Sequence, residues 1–567
     1  MYDYSSMGLY CAGDYDIIPM LDSLVANVGQ RASASQAACR VGLAKRGFAI
    51  TSLHQMKKLL MMIGAAADLT AKALAAAVAV GAMLPMSAKA ADVYWTGSGD
   101  SALLSDSGNW GATINASDKV IISETTEEKT PVVPDGTTKY YRFYLGTQAH
   151  TAKLIHEQGT LQVTATDANA PFIGMSRGSV GYYNISGGKL YCSGSVEMFV
   201  GSSGGEGHLN ISGSGIVDCY KLDLASNKDT TGTKPKGYIA ISDNGALYVR
   251  NVAGIGNYET DYAEVVQSGG TFAVTNNALL RHGTVKYIKT GGSFAVGGEL
   301  QIGGSKNMAD DKDCNATLEQ SGGSIVVSSY TQIGVYGTGT YVQSGGSIQC
   351  NNWTAIGRYS GGTGYCTVTG GTFTVKNTAG LNIGEQGTGT LTVGGTGVVT
   401  AGYGTTLGAN NGKGTLKLGG DGKIVTKSIK KGSGTATLVE FDGGTIQAMA
   451  DEAAFLGNLG NIQLGAGGLT IDTQGYNLGI ANCTFNVSSN SGKLNVVGGG
   501  TVTFTDVTVN VTDNPSQAIT FAERTDGGTF EFEGGLPEFN YRGWKLRVSG
   551  DKKTVRLVPP GLVIIVR

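Results

Sequence analysis

Between residues 321 and 444, bulky apolar residues fall at every second position in short runs, and each run is fenced by glycine. "SIVV" at residues 324–327, "SIQC" at 347–350 and "TFTV" at 372–375 each follow a Gly-Gly pair. Ahead of the pairs, three or four residues away, stand Val265, Leu318, Tyr341, Leu391 and Leu416. A third run closes on Ile-Gly, at Ile302-Gly303, Ile333-Gly334, Ile356-Gly357 and Ile383-Gly384. Period-two alternation in segments rich in Thr, Val, Ile and Tyr predicts strands with one face buried, and the glycines mark tight turns.

The Gly-Gly pairs begin at Gly322, Gly345, Gly370, Gly394, Gly419 and Gly443, with spacings of 23, 25, 24, 25 and 24. A fixed period in this range is the signature of a solenoid. One such unit cannot bury its apolar face alone. Stacked on its neighbours it can, each strand pairing with its counterpart one coil along at roughly 4.8 Å. The predicted fold is therefore all-β, a right-handed parallel β-helix of about 24-residue, three-strand coils. Degenerate units begin at Gly187, Gly213, Gly245, Gly269 and Gly291, and again at Gly467, Gly499 and Gly527. That predicts about fourteen coils and a rod roughly 65 Å long.

The ends of the chain read differently. Residues 1–55 carry no repeat and are an unusual leader or an over-extended start. Residues 56–90 have the layout of a secretory signal: Lys57 and Lys58, a 12-residue apolar run at 73–84, Pro85, then Ala88-Lys89-Ala90. The expected cleavage lies between Ala90 and Ala91. The apolar run is too short for a transmembrane anchor, and Asp68 and Lys72 interrupt any longer count. Residues 91–170 are expected to form an N-terminal β cap, 171–450 the regular repeats, 451–534 degenerate coils, and 535–567 a C-terminal β cap of hairpin and strand. Each cap would cover an open sheet end that otherwise invites aggregation.

Composition narrows the function. With 90 Gly in 567 residues, 15% charged residues and a net charge of −2, nothing favours nucleic acid or an anionic membrane as partner. Gly, Ser, Thr and Asn in this amount could mean disorder, but 41% apolar residues set at period two argue for a packed core.

The units "GTGTYVQSGGSIQC" and "GTGTLTVGGTGVVT", with "WTAIG" and "TTLG", resemble the autotransporter-associated β-strand repeats of bacterial surface proteins. The opening "VYWTGSGD...SGNW" is similar to the Trp-Gly...Asn-Trp segment that often leads such repeats. The resemblance covers residues 91–448 and implies a passenger-like β-helix displayed outside the cell. Autotransporters end in a translocator β-barrel, whereas here about 120 residues follow Ala448 and many still read as coils. Another exporter or surface attachment is therefore expected.

Candidate chemistry is sparse. Cys192 and Cys219 each follow the last Gly of a turn by four residues, so stacking would bring them within disulfide range. The pair reads equally well as an exported disulfide or as two buried thiols. Cys350 has valines, Val327 and Val375, at the same position in neighbouring coils, so it is expected in the core. Asp311 and Asp313, in a longer gap between units, could hold Ca²⁺ through oxygens, although a solvated loop explains them as well. His150, His156, His208 and His282 lack metal-ligand spacing and read as surface or turn residues. Gln320 and Gln343 precede turns in successive coils, as Gln267 does in an earlier one, and could form an amide ladder. Tyr359, Thr372 and Thr374 are candidates for an outward sugar- or partner-binding face. No catalytic residue, cofactor or metal is assigned.

These features predict an exported structural or adhesive protein, at the cell surface, associated with the outer membrane, or extracellular. Its partners would be host or environmental glycans or surface proteins, with end-to-end self-association also open. The alternative is a β-helix carbohydrate-active enzyme, a polysaccharide lyase or glycosidase, with carboxylates converging in a groove. Asp218, Asp223 and Arg250 mark the stretch where such a groove could lie.

Overall fold

A computed structural model describes residues 90–559, apart from 166–168, 227–231, 258–261, 307–310, 377, 540 and 542. The leader, the signal segment through Lys89, Cys11, Cys39, Asp310 and the tail after residue 559 lie outside the described residues.

One coil shows how the sequence makes the structure. Its strands are Thr338–Gln343, Ser347–Cys350 and Thr354–Ile356. In the first, burial alternates strictly, with Gly339, Tyr341 and Gln343 inward. In the second, Ile348 and Cys350 point inward. The turn between them is closed by Gly346 at φ 70°, left-handed backbone that glycine adopts without strain. The inward glycine at the second position of the first strand has another cause. A Cβ on Gly364, one coil along, would lie 2.3 Å from the Ile333 carbonyl oxygen, so the corner closes only around a bare α-carbon.

Stacking repeats this coil in parallel register, with Thr338 beside Thr363 and Thr363 beside Thr388. Inward columns result: Leu318, Tyr341, Cys366 and Leu391 run along the first face. Val327, Cys350 and Val375 run along the second, which places Cys350 in the core beside its expected neighbours. The third strands form an 18-stranded parallel sheet. The other two faces join into one 32-stranded sheet, because Lys413–Thr426 and Thr435–Ala448 run unbroken around the corner.

The rod has about 17 turns, more than the fourteen expected, and measures roughly 80 Å at the usual strand spacing. The added turns lie where no Gly pair marks them. Asp92–Tyr94, Lys119–Ile122 and Arg142–Leu145 already stack in parallel within the third sheet. Over the first coil, Trp95 meets Trp110 edge-on at 5.3 Å, and Trp110 meets Tyr140 at 5.8 Å. The buried Asn109 amide donates to the carbonyls of Ser101 and Leu103 and fixes the loop between the tryptophans. At the other end the stacking turns antiparallel: Thr554–Val558 pairs with both Ile519–Arg524 and Lys545–Val548.

The core contains a polar column on its first face. His156, Gln267, Lys289, Gln320 and Gln343 all occupy the last inward position of the first strand. The amide ladder expected of the glutamines does not form. Instead, Nε2 of Gln320 donates to the Gly323 carbonyl at 3.1 Å and to Ser347 of the next coil at 3.0 Å. Gln343 and Gln267 bind their own turns and the next coil in the same way. The acceptor side is met by tyrosines one coil along: Tyr287 donates to Gln267 at 2.6 Å and Tyr341 to Gln320 at 2.6 Å. A turn full of glycines exposes carbonyls toward the core, and backbone acceptors outcompete a neighbouring side chain.

His156 belongs to this column and is fully buried, contrary to its expected place in a turn or at the surface. Its Nδ1 lies 2.9 Å from the Tyr183 hydroxyl, and burial pushes its pKa below the ordinary value. His150 is exposed, His208 stacks on the outer face of the first sheet, and His282 sits in a turn at φ 59°.

A candidate binding trough on the third sheet

The three outer faces differ. Outward positions of the first and second sheets in the regular coils are mostly Thr, Ser and Gln, exposed or half-buried. Further toward the N-terminus, Tyr182, His208 and Tyr238 stack along the first sheet at 4.5 Å steps. Their rings lie nearly parallel, tilted by 17° and 6°, so the faces cover one another and only edges meet solvent.

The third sheet is buried even on its outer side. Its outward column runs Tyr144, Phe172, Phe199, Asp223, Gly254, Leu279, Gln301, Gln332, Ala355, Asn382, Thr406 and Lys430. Phe172 and Phe199 stack at 4.6 Å, and beyond them the column turns polar. The Asp223 carboxylate is fully buried, taking an ion pair from Lys221 at 3.0 Å and a hydrogen bond from Asn257 at 2.8 Å. Gln301 and Gln332 both donate to Glu299, at 2.6 and 2.9 Å. Buried charge on a sheet's outer face persists only when paired in this way.

Farther along, this strip opens into a trough. Tyr330, Trp353, Gly380, Gly404 and Ser428 stand level in successive coils, each just ahead of a third strand. Trp353 packs on Tyr330 at 4.6 Å and carries the Arg358 guanidinium 4.6 Å from its ring centre. Two bare α-carbons follow, and a Cβ on Gly380 would meet nothing nearer than the Gly404 carbonyl at 3.9 Å. The space so left is a trough of about 510 Å³. Trp353, Asn382, Glu385, Tyr403, Lys430 and Glu452 line it. Tyr403 is 67% exposed at its rim. Glu385, only 6% exposed, receives Arg358 and Asn410 on Oε1, while its buried Oε2 has no hydrogen-bond partner. Glu452 pairs with Lys430 at 3.1 Å. Both carboxylates are thus tied to cations, in a setting of aromatic rims and an amide and hydroxyl floor.

The residues singled out from sequence lie elsewhere. Cys192 and Cys219 are level in adjacent coils, both buried and both free thiols, and burial pushes each thiol up. Asp311–Asp313 form a short 3₁₀ turn with Asp313 exposed, and the Asp311 side chain lies outside the described residues. Asp218 pairs with Lys189 at 2.8 Å and Arg250 at 3.0 Å on the second sheet, whereas Asp223 belongs to the third, so no common groove forms. Thr372 and Thr374 project from the second sheet. Tyr359 follows the third strand and stacks on Tyr336 at 4.8 Å, so the three do not share one face. Among the described residues, no three His, Cys, Asp or Glu side chains gather as metal ligands, and no helix is long and apolar enough to cross a membrane.

The trough residues were passed over because each is unremarked in its own coil. The legible signal was a Trp followed by two glycines at one register position in three successive units. Comparison with known proteins adds no name: no family model matches the chain, nor does any curated protein or solved structure. The fold defines a class, the parallel β-solenoid.

Proposed function

We propose that this chain is an exported bacterial rod, autotransporter passenger-like, acting at the cell surface or beyond as a structural and adhesive protein. The observation that carries this reading is the unbroken parallel stacking from Asp92–Tyr94 to Phe530–Glu533, which makes a stiff support with long, nearly neutral faces. Such faces suit repeated weak contacts, where valency supplies the affinity. The signal-like segment ahead of Ala91 supports export. At the expected cleavage point the Ala91 amide donates to Asp118 at 2.9 Å. Cleavage after Ala90 would turn that amide into an ammonium ion beside a buried carboxylate. Expression of the whole chain in a Gram-negative host tests the reading. The expected product starts at Ala91 by N-terminal sequencing and is cut by protease added to intact cells. A chain that keeps Met1 and stays in the cytoplasm overturns it.

A further inference from the structure

We propose that the trough between Trp353 and Ser428 is a binding site for a neutral oligosaccharide. The proposal builds on the reading of the rod as an adhesive surface and assigns it a specific place and ligand class. Four features lead to it. Its length, three coil steps from Trp353 to Ser428, is roughly 14 Å at the strand spacing, suited to a short chain of sugar rings. One end, Trp353, and the rim, at the exposed Tyr403, are aromatic, and aromatic rings supply flat apolar contact for the C–H faces of a sugar. Along the trough stand Asn382, Thr406 and Ser428, groups that match hydroxyls as both donors and acceptors.

The fourth feature is the valence left over. Glu385 Oε2 is buried without a partner beside the opening, and a buried acceptor in that state is costly until a donor reaches it. A sugar hydroxyl is such a donor. The less exposed charges argue for a neutral ligand, because Glu385 is matched by Arg358 and Glu452 by Lys430, while Lys427, the other cation of the lining, is exposed to solvent. The same pairing argues against hydrolysis or elimination here, since both carboxylates are held in ion pairs. Around Asp223 and Glu299 the carboxylates are met by neighbouring side chains, and the Gln332 Oε1 left over there is buried in a residue only 2% exposed, away from the trough.

The test uses the purified full chain on an array of neutral and acidic oligosaccharides, followed by calorimetry on the best ligand. Gly380→Phe fills the trough from a position where a side chain meets open space. Asn382→Ala and Glu385→Gln remove single polar contacts. Neutral oligosaccharides are expected to bind, and each variant should weaken them at least about tenfold, the effect of roughly one good contact. Unchanged thermal unfolding of Asn382→Ala guards against misfolding as the cause. Binding restricted to acidic glycans, no glycan binding, or full binding by Gly380→Phe each overturns the proposal. A rod found outside the cell but blind to sugars would sink this site alone, while a cytoplasmic chain would sink the display reading.

Discussion

Two buried polar columns of the molecule are built on different terms. Inside the rod, Gln267 and Gln320 are answered on every side, by the carbonyls of their own turns, by the next coil, and by Tyr287 and Tyr341. On the outer side of the third sheet, Asp223, Glu299 and Glu385 are answered by other side chains, and at Glu385 one oxygen is left without an answer. Satisfaction by turn carbonyls and core tyrosines, as at Gln267 and Gln320, marks architecture. A leftover acceptor beside an open trough marks recognition. Burial alone does not separate the two, because residues of both columns are almost wholly covered.

Substitutions should separate them. The largest expected effect is Gln320→Leu, which orphans the Tyr341 hydroxyl and the turn carbonyls, at a cost of about 3 kcal/mol in urea unfolding. Glu385→Gln keeps the hydrogen bonds on Oε1 and should cost about 1 kcal/mol while weakening sugar binding. If Glu385→Gln were as destabilising as Gln320→Leu, the distinction between the columns would fail.

Gln343 sharpens the same point. The residue one coil along is Cys366 where its relatives have tyrosine, and its Oε1 has no partner. Gln343→Leu should therefore cost about 1 kcal/mol less than Gln320→Leu.

Lys289 offers the most conditional effect, one that is absent below about pH 8. It sits fully buried in the glutamine column, donating to Gly291, to Gly292 at 2.8 Å and to Gln267 at 3.3 Å. Burial pushes its pKa from 10.5 down to about 8. Between those values the folded chain binds fewer protons than the unfolded one, so stability should rise as pH climbs from about 8 to 10.5. A gain of up to about 3 kcal/mol is expected across that window, and Lys289→Gln should abolish it. A wild-type curve that falls through the window would contradict the assignment.

How much of this could be read from the chain follows from the same contrast. Alternation in "SIVV" and "TFTV" reports which side chains face inward, and the glycine period reports stacking, so coils and inner columns were legible residue by residue. The first turns were missed because Asp92–Tyr94 and Lys119–Ile122 stack without a Gly pair to mark them. The glutamine bonds were misassigned because sequence shows which residues share a column but not that turn carbonyls lie nearer than the next amide. The trough was invisible for a further reason. It is made by an absence of side chains at Gly380 and Gly404 next to Trp353, and period-two patterning says nothing about the outer side of a sheet buried on both faces.

The register that aligns Thr338, Thr363 and Thr388 also makes length a countable quantity. Loss of residues 338–362 would join Gly337 to Thr363 and leave a first strand in the same frame, on a rod shorter by roughly 4.8 Å. Gain or loss of whole coils between the N-terminal tryptophan loop and Trp353 would thus move the trough along the axis in fixed steps, without redesign of the trough or the two ends. In such a molecule reach can be altered by duplication and deletion alone, separately from what is bound.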